Sequence, residues 1–179
     1  MNSAALTTYL NDHFAGSVAA IDLLDHLLER APSPEAKRLF ADIRAEVTQD
    51  QETLQAIIRR VGADESGWRK AGAWFSEKLA RLKLKIDDST DGNLHELEAV
   101  EALSLGILGK LALWRSLAVV GSDVEWLRGI DLDRLQGRAL DQHARAESRR
   151  LELARLLVEP IPTVGDRPTN HRPQLRKLS

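Results

Sequence analysis

Few side chains in this sequence combine reactive chemistry with useful spacing. His143-Ala-Arg-Ala-Glu147 sets an imidazole and a carboxylate one helical turn apart on one face. His13 and Ser17 stand in the middle of an apolar helical stripe near the N-terminus. Asp50 and Gln51 lie in a wholly polar gap, TQDQET, that interrupts a second stripe. Imidazole and carboxylate together suit iron, zinc or manganese, so one expectation is a single metal held by His13, Asp50, His143 and Glu147. His143 with Glu147 would also make a general base with an orienting carboxylate, but no nucleophile is marked out beside them. Ser17 reads as a small core residue rather than a catalytic serine. The chain has no cysteine, which removes disulfides, thiolate zinc sites, iron–sulfur clusters and cysteine nucleophiles. The sequence contains no Gly-rich phosphate loop and no nucleotide motif.

Helices must bring these groups together. The most apolar stretch, Leu94 to Val120, puts Val100, Leu103, Ile107, Leu111, Trp114 and Ala118 on one side of a helical wheel. Leu97, Leu108, Leu113 and Leu117 widen that side and leave a narrow polar stripe with Glu98, Glu101 and Ser116. Charges at Glu98, Glu101, Lys110 and Arg115 break it into runs well below the ~18 uncharged residues of a membrane span. It is therefore expected to be the central helix of a soluble bundle, with no transmembrane segment.

A first helix is expected from about Ala4 to Ala31, stopped by Pro32-Ser33-Pro34. Ser33 is a natural N-cap, with Pro34 at the first helical position. The second helix should run to about Val61 and close on Gly62; Leu39, Phe40, Ile43, Val47, Leu54, Ile57, Ile58 and Val61 face inward and Glu46 sits at the edge. Residues 63–93 form a long connection that contains a helix, roughly Ser66 to Lys85. Asp131 caps the last helix, about Leu132 to Glu159, whose apolar face holds Leu135, Ala139, Ala146, Leu153, Leu156 and Leu157 together with His143, Glu147 and Arg150. Residues 1–159 thus make one all-α domain, and residues 160–179, basic and with four prolines, are expected to be a disordered tail. Four helices of similar length, each ~40 Å long, joined by short, long and short connections, make a four-helix bundle whose middle connection runs back along its length.

That pattern, with the stretches YLNDHFAGSVAAIDLL, EVTQDQETLQAIIRRVG, AWFSEKLARLKL and LEAVEALSLGILGKLALWRSL, resembles the ferritin-like superfamily, in particular small bacterial members without a settled activity. The resemblance covers most of residues 9–117. It implies a ferritin-like four-helix bundle with a long helical crossover between the second and third helices. The superfamily's usual di-iron or di-manganese centre takes one Glu from each of two helices and a Glu-x-x-His motif from each of the other two. Here the first helix offers no inward mid-helix Glu. The second offers Glu46-Val-Thr-Gln49, with Gln in place of His. Glu101 on the third lies ~120° from the centre of its apolar face, and the fourth has no Glu-x-x-His. The two-metal motif is absent.

In the ferritin-like order, His13, Asp50 and His143 fall at similar heights, with Lys110 close by. Buried polar groups cost a few kcal/mol unless paired, so they should cluster, either around a metal or in a hydrogen-bonded network. The network is the favoured reading, with Asp50 meeting Lys110 or a histidine and Glu147 meeting a cation such as Arg150. A Lys ammonium neutralises Asp50 and repels a metal. No cofactor is therefore expected; the alternative is iron, manganese or zinc.

The connection is strongly basic, with Arg69, Lys70, Lys78, Arg81, Lys83 and Lys85 against Glu77 alone, and its apolar side carries Trp68, Trp74, Phe75, Leu79, Leu82 and Ile86. It is expected to pack its aromatics on the bundle and leave its cations in water; the alternative is contact of residues 69–85 with an anionic membrane surface or acidic partner. The formal net charge is −2 and the pI near 6.2, so no nucleic-acid footprint is present. The first cation is Arg30, which gives no basic signal-peptide region and a cytoplasmic expectation. Together these predict a non-catalytic scaffold or interaction protein, with an unidentified protein partner or self-association. The alternatives are a metal-dependent oxidoreductase or metal-binding protein, and a membrane- or partner-associated stress protein.

Overall fold

Ser33 both ends one helix and begins the next. In the computed structural model its backbone is extended (φ −142°, ψ 157°), and its hydroxyl accepts a hydrogen bond from the Ala36 N–H at 3.1 Å. Pro34 follows at the first helical position, where its missing N–H is no loss. Helix α1 (Ser3–Arg30) therefore turns tightly into α2 (Pro34–Val61). Gly62 closes α2 in the left-handed region (φ 73°), its N–H directed to the Arg59 and Ile58 carbonyls. Helix α3 (Gly92–Val120) is joined by a single 3-10 turn, Glu125–Leu127, to α4 (Leu132–Leu156), which Asp131 caps through the Arg134 N–H at 2.9 Å. The structure describes residues 3–62, 92–121 and 124–158. The expected helix over 66–85 and the tail over 160–179 lie outside the described residues.

Cross-helix contacts give the directions. Arg44 on α2 pairs with Asp25 on α1, and Gln51 with Ser17, so these helices are antiparallel. Tyr9 reaches Ser116 at one end of the α1/α3 seam, and Leu27 shares a cavity with Ala99 at the other, so α1 and α3 are antiparallel too. Arg149 on α4 pairs with Glu96 on α3, while Arg138 pairs with Asp50 on α2. The order of neighbours is α2–α1–α3–α4–α2, with α2 and α3 on a diagonal and pointing the same way. The end of α2 and the start of α3 consequently lie at opposite ends of the bundle. Among the described residues the architecture is an all-α four-helix bundle.

One hydrophobic core joins all four helices. Its largest fully buried members include Trp114, Phe40, Leu10, Leu24, Ile43 and Ile57. The expected inward positions of α2 are buried, with Asp50 among them, except Leu39 and Val61, which are half-buried near the two ends of the helix. On α4 the inward stripe is Leu135, Ala139, Gln142, Ala146 and Leu153, at spacings of four, three, four and seven. His143 stands beside that stripe, half-buried, and Leu156 and Leu157 are exposed rather than buried. On α3, Val100, Leu103, Ile107, Leu111 and Trp114 are buried as expected, whereas Ala118 is exposed. Its outward side is less polar than the sequence suggests: Leu105 is 65% exposed and Leu108 is exposed as well. By length and composition α3 passes for a membrane span, a test that the core helix of a bundle also passes.

Because the α1–α2 corner rests on one hydroxyl cap, Ser33→Ala should lower stability by about 1 kcal/mol and Ser33→Asp should leave it nearly unchanged, as read from urea unfolding midpoints.

Candidate functional site

The polar gap in α2 delivers Asp50 to the inside of the bundle, where its side chain is only 2% exposed. A carboxylate there must be paired or give up its charge. Two cations meet it from two helices. Lys110 on α3 donates from Nζ to Oδ2 at 2.6 Å, and Arg138 on α4 donates to Oδ1. Each carboxylate oxygen thus takes one charged donor, and α2, α3 and α4 are tied at one level.

The network extends on both sides. Arg138 also donates to the Gln49 Oε1 at 2.9 Å. Lys110 donates to Oε1 of Gln142, which is fully buried, and the Gln142 amide nitrogen donates to Glu46 Oε2 at 2.9 Å. A single orientation of that amide satisfies both neighbours, with oxygen toward the ammonium and nitrogen toward the carboxylate. Arg145 closes the chain, binding Glu46 at 2.5 Å and Asp141 at 2.8 Å. Nearer the α3 N-terminus, Glu96 and Arg149 form a second, largely buried pair at 2.7 Å.

Burial pushes the Lys110 ammonium below its ordinary range, and the attraction of Asp50 opposes that push. Burial likewise lowers His13, with Asp12 acting against it. His13 packs edge-on against Tyr9, ring centroids 4.7 Å apart. It lines a cleft of about 430 Å³ between α1 and α3, of which Lys110 also forms part of the wall. Ser17, at the same cleft, donates to the Phe14 carbonyl at 2.6 Å and accepts from the Gln51 amide at 2.9 Å. Its hydroxyl is thus spent on local structure.

The four residues considered as metal ligands are distributed as follows. Asp50 is held between Lys110 and Arg138. His13 faces the α1/α3 cleft. Glu147 is gripped by Arg150 at 2.6 and 2.8 Å, which holds its carboxyl below the usual range, and Arg150 also lies 3.9 Å from Glu101. His143 sits one turn before Glu147. Among the described residues no three His, Asp or Glu side chains come together as a group that could hold a metal. Both cation partners considered for the network are in place, Lys110 on Asp50 and Arg150 on Glu147, but in separate clusters.

Arg138, Gln142 and Arg145 were not singled out from the sequence. Their spacing of four and three is a helical stripe in its own right. It runs beside the histidine-bearing one and carries the polar contacts that matter to Asp50. No family model, no curated protein and no solved structure matches the chain.

Removing the anion strands two cations in the interior. Asp50→Asn should cost about 2–4 kcal/mol of unfolding free energy. The double variant Asp50→Asn/Lys110→Met should be less destabilised than the sum of the singles, by about 1–3 kcal/mol in a double-mutant cycle. By NMR, the Lys110 pKa should lie below that of exposed lysines and fall further in Asp50→Asn. The His13 pKa should lie below about 6.5. Because the folded state then binds this proton less readily than the unfolded chain, the His13 contribution to stability is present above that pH and is lost as the pH falls below it. Comparing urea midpoints of the protein and His13→Gln across this range measures it.

Proposed function

We propose that the protein is a ferritin-like bundle in which a charge-paired polar layer stands in the place of a di-metal centre, and that it acts as a non-catalytic scaffold or interaction module. The observation that carries this reading is the Asp50 carboxylate, which is the one fully inward acid of α2 and has both oxygens occupied by cations. A divalent ion at that level would meet Lys110, Arg138 and Arg145 against Asp50 and Glu46, a layer already rich in positive charge. The donor set does not suit a resident metal, since two of its four members are bound by arginine or lysine and His13 faces a separate cleft. Support for the ferritin-like arrangement comes from the stretches that resemble that superfamily and from the helix directions, with α2 and α3 parallel on a diagonal.

A layer of buried ion pairs adds little stability over an apolar core of the same shape, but it penalises any register that leaves a charge unpaired. It is suited to fixing how α2, α3 and α4 sit against one another, which is what a scaffold requires. The deciding measurement is elemental analysis of protein purified without chelator or metal-affinity resin, beside His13→Ala and His143→Ala. Substoichiometric metal that is indifferent to both substitutions is the expected result. Near-stoichiometric iron, manganese or zinc that both substitutions abolish would overturn the proposal in favour of a metal-dependent activity.

A further inference from the structure

Helix α3 is more apolar than its place in the core requires. Only 39% of its most apolar 18 residues are buried, whereas a helix that owes its apolarity to the core alone buries most of them. The surplus is ordered. Leu105 is 65% exposed, and Leu108 and Ala112 are exposed on the same side. Glu98 and Glu101 continue that line toward the start of the helix, Arg115 continues it toward the end, and Leu94 and Val119 close it. From Leu94 to Val119 the steps along the line alternate strictly between four and three residues. That is the 3.5-residue period of a coiled-coil seam, here on the outside of the bundle. Arg150 on α4 lies 3.9 Å from Glu101, which sets the line on the outer α3/α4 side. Glu147, bound by the same arginine, shares a helical face with the exposed Leu140 seven residues before it.

We infer that this seam takes a second copy of the chain, the two α3 helices packing antiparallel about a two-fold axis that passes midway between Leu105 and Leu108. Two observations select that occupant and that direction. The first is register. Reversing the line about its midpoint lays every position on another position of the same line. Leu105 meets Leu108 of the second copy, Glu101 meets Ala112, Glu98 meets Arg115 and Leu94 meets Val119. An interface between two identical copies related by a two-fold axis has to be self-complementary in this way.

The second is charge. Glu98 and Arg115 are exposed and stand outside every ion pair among the described residues. In the reversed register each lies against the opposite charge of the other copy, twice in the dimer. Glu101 has Arg150 of its own chain beside it and faces only a methyl group across the seam. A parallel pair would instead stack Glu98 on Glu98, Glu101 on Glu101 and Arg115 on Arg115, an arrangement that like charges oppose. An anionic bilayer would meet two acids against one arginine along the same line, and its negative surface disfavours that balance.

The size of the contact sets its strength. The line is about 38 Å long and, at a helix width of ~10 Å, covers roughly 400 Å² of each copy in projection. Leu140 on α4 widens it. Specific interfaces commonly bury about 800 Å² per partner, so this one stands at the small end and the dimer is reversible. The inference supplies the partner that the scaffold reading leaves open, and it rests on the outer face of α3 rather than on the Asp50 layer.

Sedimentation velocity of the full chain from about 1 to 200 μM should show monomer giving way to dimer. Leu105→Glu and Arg115→Glu should each weaken association at least about tenfold. Glu98→Arg/Arg115→Glu should recover most of that loss, because it reverses both members of the pair. A chain that stays monomeric over the whole range, a dimer unchanged by Leu105→Glu, or a double variant no better than Arg115→Glu would overturn the inference. The direction is tested by cross-linking, since the chain has no native cysteine. Under mild oxidation, a mixture of Leu94→Cys and Val119→Cys chains should give a disulfide-linked dimer with one of each, and neither variant alone should link. Linkage of either variant with itself, or none in the mixture, would overturn the antiparallel register. Monomer that pellets with phosphatidylglycerol vesicles, and ceases to do so in Leu105→Glu, would reassign the face to a membrane and overturn the dimer. None of these readouts depends on metal content, so this inference and the proposed function fail separately.

Discussion

A carboxylate nearly sealed from water at mid-bundle constrains the rest of this molecule. Asp50 is delivered inward by the same helical face that buries Val47 and Leu54, so α2 cannot pack without it. Its charge is tolerable only if donors reach both oxygens, and those donors come from α3 and α4. The helices are thereby fixed in register at one level, since a shift by a turn would separate the acid from its partners. The apolar layers above and below supply most of the association, being large and non-directional. The ion-paired layer supplies direction.

Around that layer the bundle divides into two unlike halves. The α2/α4 side is closed by Asp50 with Arg138 and by Glu46 with Arg145, and α3 joins α4 through the Glu96–Arg149 pair. On the α1/α3 side a cleft is lined by Tyr9, His13 and Ser17 from α1 and by Ile107, Lys110 and Leu113 from α3. The distribution of charge follows the same division, acidic on α1 and basic on α4. Cross-helix contacts also separate the two histidines along the bundle: His13 stands beyond Ser17, which meets Gln51, whereas His143 follows Gln142, which meets Glu46.

Much of the fold was legible in the residues. The Pro-Ser-Pro corner, the Gly62 stop and the Asp131 cap fall where the helices begin and end, because capping is a local interaction of a few neighbouring residues. The middle turns of the apolar stripes of α2 and α3 read correctly because a period near 3.6 repeats over several turns, whereas Leu39, Val61 and Ala118 near the helix ends are less buried than expected. The Lys110–Asp50 contact was visible as a juxtaposition of heights. The histidine stripe of α4 was misleading, because His143 and Gln142 are adjacent and only about 100° apart on the wheel. A pattern with few large apolar residues cannot say which of two neighbouring stripes is central. The exposure of Leu105 and Leu108 was hidden for a related reason, since an all-round apolar helix does not reveal which side its neighbours cover.

The sequence by itself determined four long helices, their caps, the polar interruption in α2 and the failure of the two-metal motif, all of which depend on spacing along one chain. Only the tertiary structure decided which cations reach Asp50, that Gln142 links Lys110 to Glu46, and that His13 and Glu147 belong to different clusters. The physical reason is geometric. Charge pairing acts over a few ångströms across helix interfaces, and the rotation of each helix about its own axis, which sets those distances, is fixed by packing against neighbours remote in sequence.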